Sequence, residues 1–351
     1  MKYNTQVGIH SHYNIYNKAN AIFDPKSYVH GENLEYPSVL LKKELSKLGV
    51  DINTLDVHPI EEYRSILFID MPSLSTLPGG KTIEQLHKMG KKLYLFINES
   101  KLTIPDNWDK DKHRYFEKVF TWHAPLVDGK KYIKFYLPNK MPAITKFALT
   151  NRTGLCTMIA GNHNSSDPRE LYGERRKIIR WFENNHPQDF DLYGRGWDSE
   201  IFRRPSVSLP VKFLCLFKPF RIKLDKEYYP SYKGEVKSKR DTFSKYRFSI
   251  CYENARDIDG YITEKIFDCL FAGTIPIYLG APNIKDFVPE NAFIDKRRFN
   301  THEDLYAFIK GLPEEEYMGY IENIEEFIKS DMMYKFSADN YVNTIIKECI
   351  N

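Results

Sequence analysis

The polar residues that could do chemistry are concentrated in residues 246–295. An apolar run of strand length is followed there by a polar loop, and Thr263, Glu264 and Lys265 then open a segment with apolar residues at helical spacing. Free N–H groups at a helix N-terminus, with a lysine beside them, can bind an anion such as a phosphate. The alternative is that Glu264 and Lys265 form an ordinary ion pair on a helix surface.

A second candidate is Glu99, which directly follows the apolar run at residues 93–97. A carboxylate at the C-terminal end of a buried strand can accept a proton as a general base. It can equally cap a turn, because Glu-Ser after a strand is unremarkable. The fragment alone leaves both interpretations open.

Basic residues form the third candidate group. Arg175 and Arg176 belong to a predicted helix at residues 170–184, which follows a predicted strand and a polar turn. A strand, a turn and a basic helix in this order can hold a phosphate, and an arginine offers it two parallel N–H groups. Most such basic runs are solvated helix faces, and the sequence does not choose between the two arginines.

Histidines near the N-terminus could suggest a metal site. His10 and His12 flank one serine in a polar loop, but no third histidine or carboxylate ligand lies nearby in the sequence. We therefore expect contact with a substrate, or simple loop chemistry, and no bound metal. His123 lies in a second polar turn of the same half of the chain.

The elements around these residues predict two α/β sheets. Residues 248–279 read as strand, loop, helix and strand, the repeating unit of a parallel sheet, and ligands of such sheets bind at the C-terminal ends of the strands. In the first half, predicted strands at 6–9, 52–55, 65–69, 92–97 and 116–122 alternate with helices at 37–48 and 82–89. We expect an N-terminal domain at 1–150, a second domain at 151–330, and a last helix within 331–351 that packs back on the first domain.

The composition limits the classes of protein to which this chain can belong. The chain has 351 residues, which favours about two domains, and a net charge of +4 on 51 basic and 47 acidic side chains is too small to indicate nucleic-acid binding. The five cysteines are scattered without CxxC spacing, so we expect reduced thiols. With no signal peptide and no apolar stretch of about 20 residues, we expect a cytoplasmic protein.

One stretch could bring the protein to a membrane. Residues 203–223, from Arg203 to Lys223, interleave basic side chains with apolar residues and prolines. Such a segment can rest on an anionic surface at the inner face of the membrane. It can equally pack against the body of the protein and expose its charges.

The order and spacing of the motifs in residues 246–295 resemble the signature of the α-1,3/4-fucosyltransferase family (glycosyltransferase family 10). The family's YKF, FEN and Y(V/I)TEK segments correspond to the stretches that begin at Tyr246, Tyr252 and Tyr261, and the strand that ends at Gly280 follows in register. In the N-terminal half the resemblance is limited to Asn98-Glu99-Ser100, close to the family's E-S-P triplet, with Lys101 in place of the proline.

This resemblance implies a GT-B fold: two Rossmann-like lobes with the active site in the cleft between them. It also implies GDP-fucose as the donor substrate and an inverting transfer to a glycan without an obligatory metal cofactor. When the family's residue roles are transferred to the matching positions of this sequence, the resemblance implies that Glu99 is the general base. It implies that the donor-binding residues are Arg175, Asn254, Tyr261, Thr263, Glu264 and Lys265. Lys265 neutralises the leaving phosphate, and Glu264 holds the ribose or the sugar.

Several points stay open at this level. Asp257 and Asp259 form an Asp-X-Asp pattern like the metal site of other glycosyltransferases, but a polar loop is the interpretation we favour. We expect acceptor contacts in the N-terminal lobe, where His10, His12 and His123 are candidates. The alternatives for the whole chain are the same machinery with another nucleotide deoxysugar, or a catalytically silent protein that binds nucleotide sugars or glycans.

Overall fold

The computed structural model describes residues 5–24, 35–73, 77–143, 146–150, 152–198 and 228–350. The stretch from Arg203 to Lys223, for which we predicted membrane contact as one alternative, lies outside these residues. Two separate parallel sheets organise the described chain.

The N-terminal sheet has six parallel strands in the order β2-β1-β3-β4-β5-β6. They are β1 (Thr5–Ser11), β2 (Val50–Thr54), β3 (Ser65–Ile69), β4 (Lys92–Ile97), β5 (Lys118–Thr121) and β6 (Tyr132–Lys134). The helices of this half are α1 (Tyr36–Lys47), α2 (Ile83–Lys88) and α3 (Lys110–His113). Five of the strands were expected; β6 was missed because three residues carry no readable pattern.

The C-terminal sheet has five parallel strands in the order β11-β10-β9-β7-β8. They are β7 (Gly154–Ile159), β8 (Phe190–Tyr193), β9 (Tyr246–Tyr252), β10 (Ile275–Leu279) and β11 (Ile294–Asp295). The helices are α4 (Tyr172–Asn185), α5 (Lys239–Phe243), α6 (Glu264–Phe271), α7 (His302–Gly311), α8 (Glu314–Ile328), α9 (Asp331–Tyr334) and α10 (Ala338–Ile345). The prediction of two Rossmann-like lobes is confirmed.

Strand order determines where ligands can enter each lobe. The first strand of each sheet, β1 or β7, has the second strand on one side and the third on the other. The connections that leave these neighbouring strands run to opposite sides, which opens a crevice at their carboxyl ends. The polar residues singled out in the sequence follow β1, β4, β7 and β9, and so lie at these ends.

The last helix crosses back to the N-terminal lobe. Asn139 is held in a backbone bridge to this segment: its N–H donates to Phe336 O at 2.7 Å, and its carbonyl accepts from Ala338 N at 2.9 Å. Four buried residues of the final segment then join the apolar cluster formed by β1, α1 and β2; they are Tyr341, Val342, Ile345 and Cys349. The final helix therefore packs against the N-terminal lobe, and the boundaries of the two domains stay a prediction.

The lobes touch through the loop that precedes α6. Gly260, at φ +75°, passes so close to the carboxyl end of β5 that a Cβ atom there would lie 2.9 Å from Trp122 O. Lys134 Nζ donates to the same carbonyl at 2.6 Å. A small buried cluster joins the two sides, with Trp122 from the first lobe and Ala255, Ile258 and Tyr261 from the second. Only glycine allows so close an approach of the two backbones.

Two further observations concern membranes and thiols. In the described part of the chain, each helix is too short or too polar to cross a bilayer. The described cysteines, Cys156, Cys251, Cys269 and Cys349, are free and buried, and Cys215 lies outside the described residues.

Candidate active site

The start of α6 is built around a buried carboxylate, Glu253. Thr263 is the N-cap of this helix, and its backbone N–H and side-chain hydroxyl donate to Glu253 at 2.9 and 2.7 Å. Glu253 has no exposed surface, and burial raises its pKa while nearby Lys265 opposes the shift. We did not single out Glu253 in the sequence, although it lies between two residues of the quoted motif.

Lys265 projects from the first turn of α6 among acidic groups. Its Nζ donates to Thr263 Oγ1 at 3.1 Å, and lies 3.3 Å from Glu264 Oε1 and 3.7 Å from Glu253 Oε2. Burial acts to lower the pKa of Lys265, but the charges of Glu264 and Glu253 outweigh it and raise the pKa. The lysine is therefore held as a cation at the end of the helix.

Glu264 and Lys265 do not form a fully solvated surface pair, which was the alternative interpretation. The side chain of Lys265 is 23% exposed and that of Glu264 32%. Burial would raise the pKa of Glu264, but Lys265 and Lys239 override it and lower the pKa to about 2. Lys239 itself lies 2.6 Å from Asp268, one turn further along α6. The charged groups thus form a network around the helix N-terminus.

Arg175 lies against the loop that follows β9. Its guanidinium, only 2% exposed, donates from Nη2 to Tyr252 O at 2.7 Å and to Asn254 Oδ1 at 3.1 Å. The guanidinium carbon is 5.1 Å from the ring centre of Tyr172, and Arg175 Nε has no partner among the described residues. Burial lowers the pKa of Arg175, but a guanidinium remains charged at neutral pH.

Arg176 points elsewhere. Its Nη1 donates to His163 O at 2.8 Å and to Asn162 Oδ1 at 3.3 Å, so it holds the polar turn after β7. Adjacent residues of a helix point about 100° apart, and here only Arg175 contacts the loop that carries Asn254. The structure therefore separates the two arginines that the sequence left as rivals.

Glu99 approaches this cation-rich region from the N-terminal lobe. It follows β4, is half-buried, and accepts a hydrogen bond from Tyr13 at 3.3 Å. Burial raises its pKa; the positive charge of Lys265 opposes the shift, and the negative charge of Glu264 adds to it. Trp122 joins the two loops, because its Nε1 donates to Asn98 O at 3.1 Å and its ring lies 5.1 Å from that of Tyr261.

Aromatic rings line one side of the gap. Tyr261 is 1% exposed, and its ring centre lies 5.1 Å from that of Trp122 at the end of β5. Trp108 packs edge-on against Trp122 at 5.2 Å. Burial raises the pKa of Tyr261, and the negative charge of Glu99 adds to the effect. Tyr261 therefore lies within electrostatic reach of Glu99.

The histidines separate into two classes. His10 lies in β1 with 1% exposure, and burial, with the nearby His12, lowers its pKa to about 4. Its side chain has less accessible surface for a ligand than those of His12 and His123. His12 is half-buried with Nδ1 2.7 Å from Met71 O. His123 is half-buried between Trp108 and Trp122, at ring distances of 5.4 and 5.9 Å.

The Asp-X-Asp pattern lies on the outside of the loop. Asp257 and Asp259 are exposed, and Asp257 lies 3.7 Å from Arg256. The described residues contain no cluster of three or more histidine, cysteine or acidic side chains with metal-binding geometry.

A cavity of about 590 Å³ opens nearby, lined among others by Glu174, Trp181, Tyr252 and Lys296. Its lining includes none of the predicted site residues, so we place the site where the charges converge.

One family model matches the C-terminal part of the chain. Residues 218–349 match the family model described as glycosyltransferase family 10 (fucosyltransferase), C-terminal. Over 69 residues the chain is 42% identical to an α-(1,4)-fucosyltransferase of Arabidopsis thaliana, covering 20% of this chain and 17% of that protein. Over 78 residues it is 42% identical to the α-(1,3)-fucosyltransferase FucT of Helicobacter pylori, covering 22% and 16%. The matches thus span less than a quarter of each relative.

Solved structures extend the similarity to the whole fold. An α1,3-fucosyltransferase with GDP-fucose superimposes with a TM-score of 0.50 at 12% identity, over 93% of this chain and 91% of that one. The HepE protein of Anabaena in complex with UDP-glucose gives a TM-score of 0.55 at 11% identity, over 99% of both chains. At this identity the likeness shows the fold alone, and it confirms the predicted GT-B architecture.

Proposed function

We propose that this chain, which carries the C-terminal domain of glycosyltransferase family 10 (fucosyltransferases), transfers L-fucose from GDP-fucose to a hydroxyl group of an acceptor glycan. The transfer inverts the anomeric centre and forms an α-1,3 or α-1,4 linkage. The observation that carries the proposal is the contact between the lobes beside Glu99 and Lys265. Trp122 Nε1 donates to the carbonyl of Asn98, the neighbour of Glu99, and the Trp122 ring lies 5.1 Å from that of Tyr261, in the loop that leads to Lys265 at the start of α6.

The C-terminal lobe supplies the donor half of the reaction. Negative charge grows on the diphosphate as its bond to the sugar breaks, and Lys265 and the N-terminus of α6 stabilise that charge. Arg175 adds a planar guanidinium beside the same loop. Asn254 and Tyr261 line the donor site, and ionised Glu264 accepts hydrogen bonds from hydroxyl groups of the ribose or the sugar.

The N-terminal lobe supplies the acceptor half. The acceptor oxygen forms a bond to the anomeric carbon on the face opposite the diphosphate, and the electron pair of the broken bond leaves with GDP. Glu99 takes the proton of the acceptor hydroxyl. Because burial raises the pKa of Glu99, it is a stronger base than a solvated carboxylate.

The positive groups already present make a divalent cation unnecessary in this scheme. Lys265 and Arg175 occupy the positions where a metal would neutralise phosphate charge, and Asp257 and Asp259 lie outside them. We place acceptor contacts at His12 and His123, which retain accessible surface near the carboxyl ends of β1 and β5.

A panel of nucleotide sugars tests the proposal. GDP-fucose, a second GDP-sugar, a nucleotide 6-deoxysugar and UDP-glucose are each measured for binding and for slow hydrolysis of the donor. We expect tight binding and turnover of GDP-fucose alone. Turnover of another donor in its place would contradict the sugar assignment. Binding of GDP-fucose with neither hydrolysis of the donor nor transfer to any glycan in an acceptor screen would indicate a silent binding protein.

The cellular setting is a separate proposal. We propose a cytoplasmic enzyme that builds cell-surface polysaccharide or lipopolysaccharide, with residues 203–223 contacting the inner face of the membrane. Their six basic side chains should attract anionic lipid, and the attraction should weaken with salt. Failure of the full chain to co-sediment with vesicles of anionic lipid at low ionic strength would remove the membrane contact.

A further inference from the structure

Asp70 follows β3 directly beside the strand that carries Glu99. We infer that Asp70 is a positioning residue for Glu99: its buried carboxylate fixes the peptide groups around residue 99, so that the Glu99 side chain projects toward Lys265. This inference rests on the proposed function, because it gives Glu99 the role of base. β3 and β4 are neighbouring strands, and Asp70 N donates to Phe96 O at 2.9 Å.

One oxygen of Asp70 collects three hydrogen bonds. Its Oδ1 accepts from Asn98 N at 2.7 Å, from Glu99 N at 2.9 Å and from Asn107 Nδ2 at 2.6 Å. Two successive backbone N–H groups are thereby directed at a single carboxylate. The direction of the chain as it leaves β4 follows from this contact.

The carbonyl groups of the same two residues are held from the other side. Trp122 Nε1 donates to Asn98 O at 3.1 Å, and Trp108 Nε1 and Asn107 Nδ2 each donate to Glu99 O at 3.3 Å. Asn107 Oδ1 in turn accepts from the backbone N–H of Met71 at 2.6 Å, the residue after Asp70. The backbone at residues 98 and 99 therefore has little freedom to rotate.

Two features of Asp70 are costly for folding. Its φ of +61° lies in the left-handed region, which residues with a Cβ atom rarely adopt and aspartate adopts only occasionally. It is also a carboxylate with 2% exposure beside a second carboxylate, and burial and Glu99 together raise its pKa to about 7. A buried charge whose observed partners are N–H groups is unfavourable compared with an apolar residue. A role at the site accounts for its presence.

A purely structural role is the competing explanation, and the choice of variants separates the two. Asp70→Asn keeps an acceptor oxygen and tolerates the positive φ. Asp70→Gly tolerates the φ and removes the acceptor. Glu35→Gln is the matched control, since Glu35 is a second buried acid of the same lobe, 5% exposed, whose carboxylate accepts from Tyr16.

The measurements are kcat with a transferable acceptor, the Kd for GDP-fucose, and thermal melting. We expect Asp70→Gly to lower kcat about 10- to 100-fold, less than the roughly 10²–10⁴-fold loss expected when the general base itself is removed. Its Kd for GDP-fucose should stay within about 2-fold, because the donor site lies on the other lobe. Asp70→Asn should recover most of the rate, and Glu35→Gln should leave kcat unchanged even if it lowers the melting temperature.

A double variant decides between positioning and stability. If Asp70 acts through Glu99, Asp70→Gly should slow Glu99→Gln no further, because the group it positions is already inactive. An equal loss of rate in both backgrounds, a wild-type rate in Asp70→Gly, or a matching loss of donor affinity would each overturn the inference. If Asp70→Gly does not fold, Asn107→Ala is tested in its place, with an expected loss in kcat of about 3- to 10-fold. Asn107→Ala should likewise slow Glu99→Gln no further.

The same data distinguish this inference from the proposed function. If wild-type protein neither binds nor turns over GDP-fucose, the donor assignment fails before any variant is compared. If wild-type protein is active and Asp70→Gly matches it, only the positioning role fails.

Discussion

The rings of Trp122 and Tyr261 lie 5.1 Å apart between centres and are tilted by 46°, and they join the two lobes directly beside the candidate site. Trp122 follows β5 of the first sheet, and Tyr261 precedes α6 of the second. Because Trp122 Nε1 also donates to Asn98 O, one side chain connects the loop that carries the proposed base with the loop that carries the proposed donor contacts.

Replacing this ring should affect both stability and transfer. We expect Trp122→Ala to lower the free energy of unfolding by about 3–5 kcal/mol, the usual loss for a buried large aromatic. Trp122→Phe keeps a ring but loses the N–H donor, so it should cost about 0.5–1.5 kcal/mol. Urea unfolding and transfer rates measure the two effects. Trp181→Ala, a half-buried tryptophan of α4, is the control, and an equal loss of transfer there would contradict a specific role of Trp122.

Arg175 and Arg176 should differ in donor binding. Loss of a charge-assisted hydrogen bond weakens an interaction by about 1.5–3 kcal/mol, so we expect Arg175→Ala to raise the Kd for GDP about 10- to 100-fold. Arg176→Ala should change it by less than about 3-fold, because Arg176 contacts only the turn after β7. Calorimetric titration with GDP provides the comparison. A larger effect of Arg176→Ala would reverse the assignment.

Glu99 should limit the rate on the acid side of the pH profile. Burial raises its pKa. As the pH is lowered, kcat should therefore begin to fall at a higher pH than it would if the base were a solvated glutamate. Glu99→Gln should lower kcat by about 10²–10⁴-fold and abolish that acid limb, with the Kd for GDP-fucose nearly unchanged. A retained acid limb in Glu99→Gln would assign the proton transfer to another group, such as His12 or His123.

Asp70 should make stability depend on pH. Its pKa is raised to about 7 from 3.8, so the folded protein holds the proton more tightly than the unfolded chain. The resulting stabilisation is complete below about pH 4 and is lost as the pH rises through about 7. Asp70→Asn removes this contribution, so the difference in melting temperature between wild type and variant should change between pH 5 and pH 8. A constant difference would contradict the raised pKa.

Asp257 and Asp259 should be dispensable for transfer. Both are exposed, and we expect the double variant Asp257→Asn/Asp259→Asn to keep its activity within about 3-fold. Treatment with EDTA should likewise leave the rate unchanged. Loss of activity in EDTA that is restored by added Mn²⁺ in wild type, but not in the double variant, would establish a metal site at this loop.

The sequence by itself determined the local elements of the proposed donor half of the site. A continuous apolar strand, a polar loop and an amphipathic helix with Thr263 at its start are local features, and local features can be read from spacing. Glu99 was found for the same reason, since the uninterrupted apolar run at 93–97 indicates a strand buried on both faces. The resemblance of the motif to a known family gave these residues their roles.

Only the tertiary structure decided how these residues meet. Tyr13 contacts Glu99 across 86 positions of sequence, and Asp70 reaches the same loop from a neighbouring strand. Neither contact has a local signal, because it depends on which strands become neighbours. The choice between Arg175 and Arg176 depends on the rotation of α4 against the sheet. The burial of His10 depends on which face of the sheet its side chain points to from β1. Packing sets these relationships, and no spacing within one segment records them.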